Sequence, residues 1–234
     1  MPPRATGRGH NTTPTKHWHQ SVARLTLFAM SENKPRDGVL RVLGVDPAAA
    51  GPTGYGVVES DGRSCRILRY GALKVADKIR EGSAGAGLEA VHTLICELLR
   101  EFAPHCLAVE SIFSALNVRT ALRLAEVRGV VLLAAAQHGV EVHSYAPRLI
   151  KASVAGYGHA DKRQMQMMVR SLLGMAEVPE PADAADALAV ALCHMQQAQF
   201  QRRFGLAPEP RKAARGVSAA MRTRPARAEA QPGR

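Results

Sequence analysis

This sequence is short of aromatic residues. Phe, Trp and Tyr make up 4% of its 234 residues, so the core has to be aliphatic and alanine-rich. It also lacks a hydrophobic run of membrane length. The longest, near residues 130–136, is bracketed by Arg128 and His138 and is too short to cross a bilayer. The four cysteines (Cys65, Cys96, Cys106 and Cys193) lie far apart, with no CxxC pair and no zinc-type spacing. Reduced core thiols in a cytoplasmic protein are the expectation. No internal repeat is visible, and the N-terminal stretch has no acid before Glu32.

What is present is positive charge, concentrated at the ends. Residues 1–38 hold six Lys/Arg against two Asp/Glu, and residues 201–234 hold nine against two. The intervening residues, 39–200, carry equal numbers of each sign. Basic tails suit polyanion contact; a pair of solvated, unstructured ends is the plainer alternative. His10, His17 and His19 fall in the first of these tails without an acid or cysteine beside them. The first tail mildly resembles a transit peptide, and a start at Met30 explains it equally well. The expected organisation is therefore a domain over 39–200 between two disordered basic extensions.

Within that domain, apolar strands and helices alternate. Residues 39–46 read as a buried strand ending on Asp46-Pro47. A turn of small residues leads to a returning strand at 55–59. Asp61-Gly62 marks a hairpin, and a third strand follows at about 64–74. Residues 82–87 read as a loop. Leu88, Val91, Leu94, Ile95, Leu98 and Leu99 then keep helical spacing until Pro104. A fourth strand, 106–110, is apolar until its final Glu110. A polar loop leads to a helix over about 118–138, closed by Gly139. Residues 140–145 alternate as a fifth strand, and Pro147 stands where a helix can start. Helices follow at 149–154, 162–173 and about 182–200. The expected fold is a mixed five-stranded sheet, three antiparallel meander strands plus two more, with helices on its faces.

Four acids stand out. Asp46 and Glu110 close apolar strands, where an unpaired charge is costly. Asp183 and Asp186, three apart, share one face at the start of the last helix. Hard carboxylate oxygens from three elements can hold a pair of magnesium ions. Each acid also has an ordinary explanation. Asp183 can complement the positive end of its helix, Asp186 can be a solvated first-turn acid, and Asp46 before proline can open a turn. Glu110 is the hardest to dismiss, because strand propensity does not favour a terminal Glu. Spacing alone leaves both readings open.

The chain resembles the RuvC family of Holliday-junction endodeoxyribonucleases, within the ribonuclease H-like superfamily. The resemblance runs over about residues 41–196. It is carried by Gly44-Val45-Asp46-Pro47 with Thr53-Gly54-Tyr55-Gly56-Val57, and by Ala108-Val109-Glu110-Ser111-Ile112-Phe113. It continues through Ala121-Leu122-Arg123-Leu124, Arg128-Gly129-Val130, Tyr145-Ala146-Pro147, Ile150-Lys151, Gly156-Tyr157-Gly158 and 182–189. The resemblance implies that Asp46, Glu110, Asp183 and Asp186 bind two Mg²⁺ ions per site, with Mn²⁺ a possible substitute. It further implies a base-stacking role for Phe113 and a place near the scissile strand for Lys151 and for Lys162, the latter in the catalytic set. Arg163 beside Lys162 is expected to touch phosphate. Asn117, Arg119 and Arg123 are candidate DNA contacts, a solvated helix face being the alternative.

The family also implies a homodimer on four-way junction DNA, partnered by RuvA and RuvB, with paired symmetric nicks leaving 5′-phosphate and 3′-hydroxyl ends. Two departures bear on this. Ala48 replaces the family's usual glycine after Asp-Pro, in a turn one residue longer. Leu116 stands where a lysine is common. The altered loop leaves a non-cleaving junction-binding protein as one alternative. An actin-like ATPase relative is another, and would need a second domain and further phosphate loops.

Overall fold

The computed structural model describes residues 38–49, 51–74, 84–112 and 117–206. Ala50, Phe113, Leu116, the three N-terminal histidines and nearly all of both basic tails lie outside those residues. In chain order the strands are β1 (Leu40–Asp46), β2 (Pro52–Ser60), β3 (Cys65–Lys74), β4 (Cys106–Glu110) and β5 (Glu141–Tyr145). The helices are α1 (Ala84–Phe102), α2 (Val118–Gln137), α3 (Pro147–Ala155), α4 (Lys162–Leu172) and α5 (Ala182–Arg203).

The strands form one sheet in the order β3-β2-β1-β4-β5. β1, β2 and β3 make the antiparallel meander, while β4 runs parallel to β1 and β5 parallel to β4. The Asp61 carboxylate closes the hairpin between β2 and β3 by accepting from the backbone N–H of Arg63 and Ser64 at 2.8 and 2.9 Å. The expected mixed sheet is the observed one, with shifted edges. β2 begins at Pro52 rather than Tyr55, because its pairing with β3 extends to Pro52 opposite Lys74. α1 begins at Ala84, so its glycine-rich start is helical instead of the expected loop.

β1 is central and covered on both faces, which is why it is almost continuously apolar. Successive side chains alternate between two cores. Val42, with Cys106 and Ala108 of β4, joins a cluster with Ile150, Met165, Leu188 and Val190 from α3, α4 and α5. Leu43 and Val45 join Val91, Ile95 and Val131 from α1 and α2 on the other face.

α5 is buried on nearly every side from Ala184 to Met195. Its alanines and the strand glycines let it lie very close to the sheet. A Cβ on Gly44 would overlap the backbone carbonyl of Ala187, and one on Gly54 would overlap that of Asp183. This close contact sets where the first turn of α5 can stand.

Candidate active site

Period-two alternation puts the side chains of Asp46 and Glu110 on the face that α5 covers. Asp46 shares parity with Val42 and Gly44; Glu110 shares it with Cys106 and Ala108. The parallel register aligns Val45 with Val109, so the two acids finish adjacent strands at the same edge. α5 adds Asp183 and Asp186 from its first two turns. α4 adds Lys162 as its first residue, set by Asp161, which caps the helix in a reciprocal pair with Gln164. α3 adds Lys151.

A cleft of about 230 Å³ results, lined by Asp46, Glu110, Asp186, Lys151, Lys162 and the apolar Ile150, Met165 and Ala189. Burial and then the charges of Glu110, Asp186 and Asp183 push the Asp46 carboxyl from 3.8 up to about 8, against an opposing pull from Lys162. Burial and Asp186 also raise Glu110, while Lys151 draws it down. Lys162 meets Asp186 at 3.2 Å. Burial opposes its positive charge, but Asp186, Asp183 and Asp46 together hold its pKa above the usual value.

The structure thus brings together three of the four expected acids and both expected lysines. Asp183 does not line the cleft, although Asp46 and Lys162 both sense its charge. No three of these carboxylates place oxygens within 4.8 Å of one another among the described residues. The donor set fits a divalent ion of the magnesium class. The cleft offers hard oxygens and no cysteine or histidine, and a cation there would offset the burial and the neighbouring negative charges that raise the Asp46 carboxyl.

Other expected contacts fall nearby in different roles. Asn117 caps α2, its side-chain oxygen accepting from the Thr120 N–H at 2.8 Å. Arg119 and Arg123 are exposed on the first turns of that helix. Arg163 lies outside the acid cleft. It lines a separate groove with Tyr157, Gln164 and Met167, because successive residues of a helix point about 100° apart. Sequence reasoning missed Arg128, whose guanidinium donates to the Glu110 carbonyl at 3.0 Å and to the Ser144 hydroxyl at 2.7 Å. It ties the ends of β4 and β5 together and so fixes the backbone under Glu110. Its presence in one of the recognised segments was the available signal.

Acids at the ends of the first and fourth strands of such a mixed sheet, joined by acids from the last helix, define a ribonuclease H-like α/β domain. Comparison with known proteins narrows this. The family model described as "Crossover junction endodeoxyribonuclease RuvC" matches residues 42–194. The relative of that name from Chloroflexus aurantiacus is 47% identical over 167 residues, covering 71% of this chain and 99% of its own length. The one from Chloroflexus aggregans is 46% identical over the same shares. The structure described as "T. thermophilus RuvC in complex with Holliday junction substrate" superposes with a TM-score of 0.64 at 35% identity, covering 69% of this chain and 96% of that one. The chain belongs to the RuvC family. Membership makes it a nuclease that hydrolyses DNA phosphodiester bonds. Among the described residues no helix is long and apolar enough to cross a membrane.

Proposed function

We propose that this chain resolves four-way DNA junctions by paired, symmetric nicks. The observation that carries the reading is the meeting of Asp46, Glu110 and Asp186 in one cleft beside Lys151 and Lys162, in a chain of the RuvC family. Asp46, Glu110, Asp183 and Asp186 would hold two Mg²⁺ ions, with Mn²⁺ a substitute; bound there, the ions supply an activated water and charge stabilisation for in-line displacement at phosphorus. The residues themselves do the rest. Lys162 keeps its proton and offers an ammonium to a phosphate oxygen. Lys151 places a second positive charge at the same cleft. The buried floor of Ile150, Met165 and Ala189 limits water at the scissile bond. Cleavage would leave a 5′-phosphate and a 3′-hydroxyl.

Exposed Arg119 and Arg123 suit backbone phosphates, which position DNA without reading sequence. Arg163 would reach phosphate from its own groove beside the cleft. Asn117 uses its oxygen as a cap and keeps its amide N–H groups for DNA. For Phe113, outside the described residues, the proposed role is stacking on a base at the opened junction. A homodimer is supported by the apolar side chains that α2 leaves exposed, Val118, Leu122 and Leu133. RuvA and RuvB are the proposed partners, the cytoplasm the proposed location and 39–200 the proposed catalytic domain, between two basic extensions.

A nicking assay on a synthetic four-way junction, with and without Mg²⁺, tests this. Symmetric nicks in strands of like polarity that need the cation are expected. Junction binding without nicks would overturn the enzyme reading.

A further inference from the structure

A second constellation lies on the same face of the sheet, away from the acid cleft. Cys106 begins β4, His143 is in the middle of β5, and His194 is two turns beyond Asp186 on α5. One ligand atom from each lies within 4.8 Å of the other two, the only such triplet among the described residues. The Cys106 sulfur is 3.1 Å from Nε2 of His194, and the His143 and His194 ring centroids are 4.5 Å apart.

We propose that Cys106, His143 and His194 form a second metal site, for one ion of the zinc class, that pins α5 to β4 and β5. Tetrahedral zinc with sulfur and nitrogen ligands at about 2.0–2.3 Å separates its ligand atoms by about 3.3–3.6 Å. The triplet needs only small side-chain shifts to reach that geometry. Its donors are a thiol and two imidazoles, which favour zinc over magnesium. The acid cleft has the opposite chemistry, so the two sites would take different ions.

The surroundings fit ligand duty. The Tyr145 hydroxyl contacts Nδ1 of His194 at 2.6 Å. With Nδ1–H donating to that oxygen, the Nε2 lone pair faces Cys106, the arrangement typical of a metal-bound histidine and its outer partner. Without an ion, the Cys106 S–H satisfies Nε2. Binding would replace that hydrogen bond with Cys106 S–metal and His194 N–metal bonds and release the thiol proton to water. Cys106 and His194 are buried, at 5% and 7% exposure. His143 is half-exposed and Glu141 is exposed, 4.0 Å from it, on β5 at the edge of the sheet. The ion would enter from that side, and Glu141 or water would complete the shell. A reactive-cysteine reading is weaker, because the Cys106 side chain is buried away from any substrate.

The site would also couple to the cleft. Cys106 and Glu110 share β4, and His194 and Asp186 share α5, so the two sites lie about 12–13 Å apart along both elements. An ion at one end fixes the spacing at the other.

The test is titration of the full chain with Co²⁺ alone, followed by competition with Zn²⁺. A near-ultraviolet sulfur-to-cobalt charge-transfer band is expected, saturating at one equivalent and displaced by Zn²⁺. It should vanish in Cys106→Ser and persist in Asp46→Asn, since the acid cleft has no sulfur. If Cys106→Ser fails to fold, His143→Gln decides, its side chain being half-exposed. It should weaken Zn²⁺ binding at least tenfold with the native circular dichroism retained. Absence of the band, its survival in Cys106→Ser, or unchanged affinity in a folded His143→Gln would each overturn the proposal.

Discussion

Asp46→Asn should stabilise the metal-free protein while abolishing cleavage. In the fold the Asp46 carboxyl is raised from 3.8 to about 8, so between those values the folded state holds a proton that the unfolded chain releases. The folded state then binds more protons than the unfolded one, and stability falls as pH rises through that window. At pH 7 the full shift corresponds to about 4 kcal/mol. Solvent access to an open cleft reduces it, leaving an expected gain of roughly 2–4 kcal/mol for Asp46→Asn. The assay is urea unfolding in EDTA at pH 4, 7 and 8.5. The midpoints of variant and wild type should nearly coincide at pH 4 and separate at pH 7 and 8.5. Millimolar Mg²⁺ should raise the wild-type midpoint and close the gap, because an ion that binds only the folded state stabilises it by mass action. A variant no more stable than wild type at pH 7 in EDTA would refute the reasoning.

Asp183→Asn should still shift a four-way junction in a gel and should not nick it; full cleavage would remove Asp183 from the site. Gly54→Ala should cost about 1–3 kcal/mol and reduce cleavage, since its Cβ would overlap the Asp183 carbonyl; urea midpoints and nicking rates measure both. Arg41→Met should cost about 3 kcal/mol in the same unfolding assay. It strands the half-buried Glu59, now 2.8 Å from the guanidinium, with only exposed Arg66 as partner.

β1 and β4 were legible in the sequence because both are central strands whose apolar runs break only at a terminal acid. The last helix was legible because prolines precede it. Edges were less so. The Ala-Gly-Ala-Gly start of α1 has loop composition, yet it is helical ahead of the stretch where Leu88 and Val91 pack on the sheet. Convergence of Asp46, Glu110 and Asp186 followed from strand order, which sequence fixes only through the family resemblance. The direction of Arg163 did not follow, because a one-residue step along a helix changes the groove a side chain enters. Nor did the Cys106–His194 contact, whose partners stand 88 residues apart and match no local metal-ligand spacing. The capping role of Asn117 was available from its place before a helix, but the family resemblance offered equal reason to aim it at DNA.

The most direct test of the central claim is a crystal of the full chain soaked in Mn²⁺, with anomalous scattering used to locate the ions. Manganese bound between Asp46, Glu110 and Asp186, with Lys162 displaced from Asp186, is the result expected here. An acid cleft that stays empty at millimolar Mn²⁺, or Glu110 turned away from any bound ion, would contradict it.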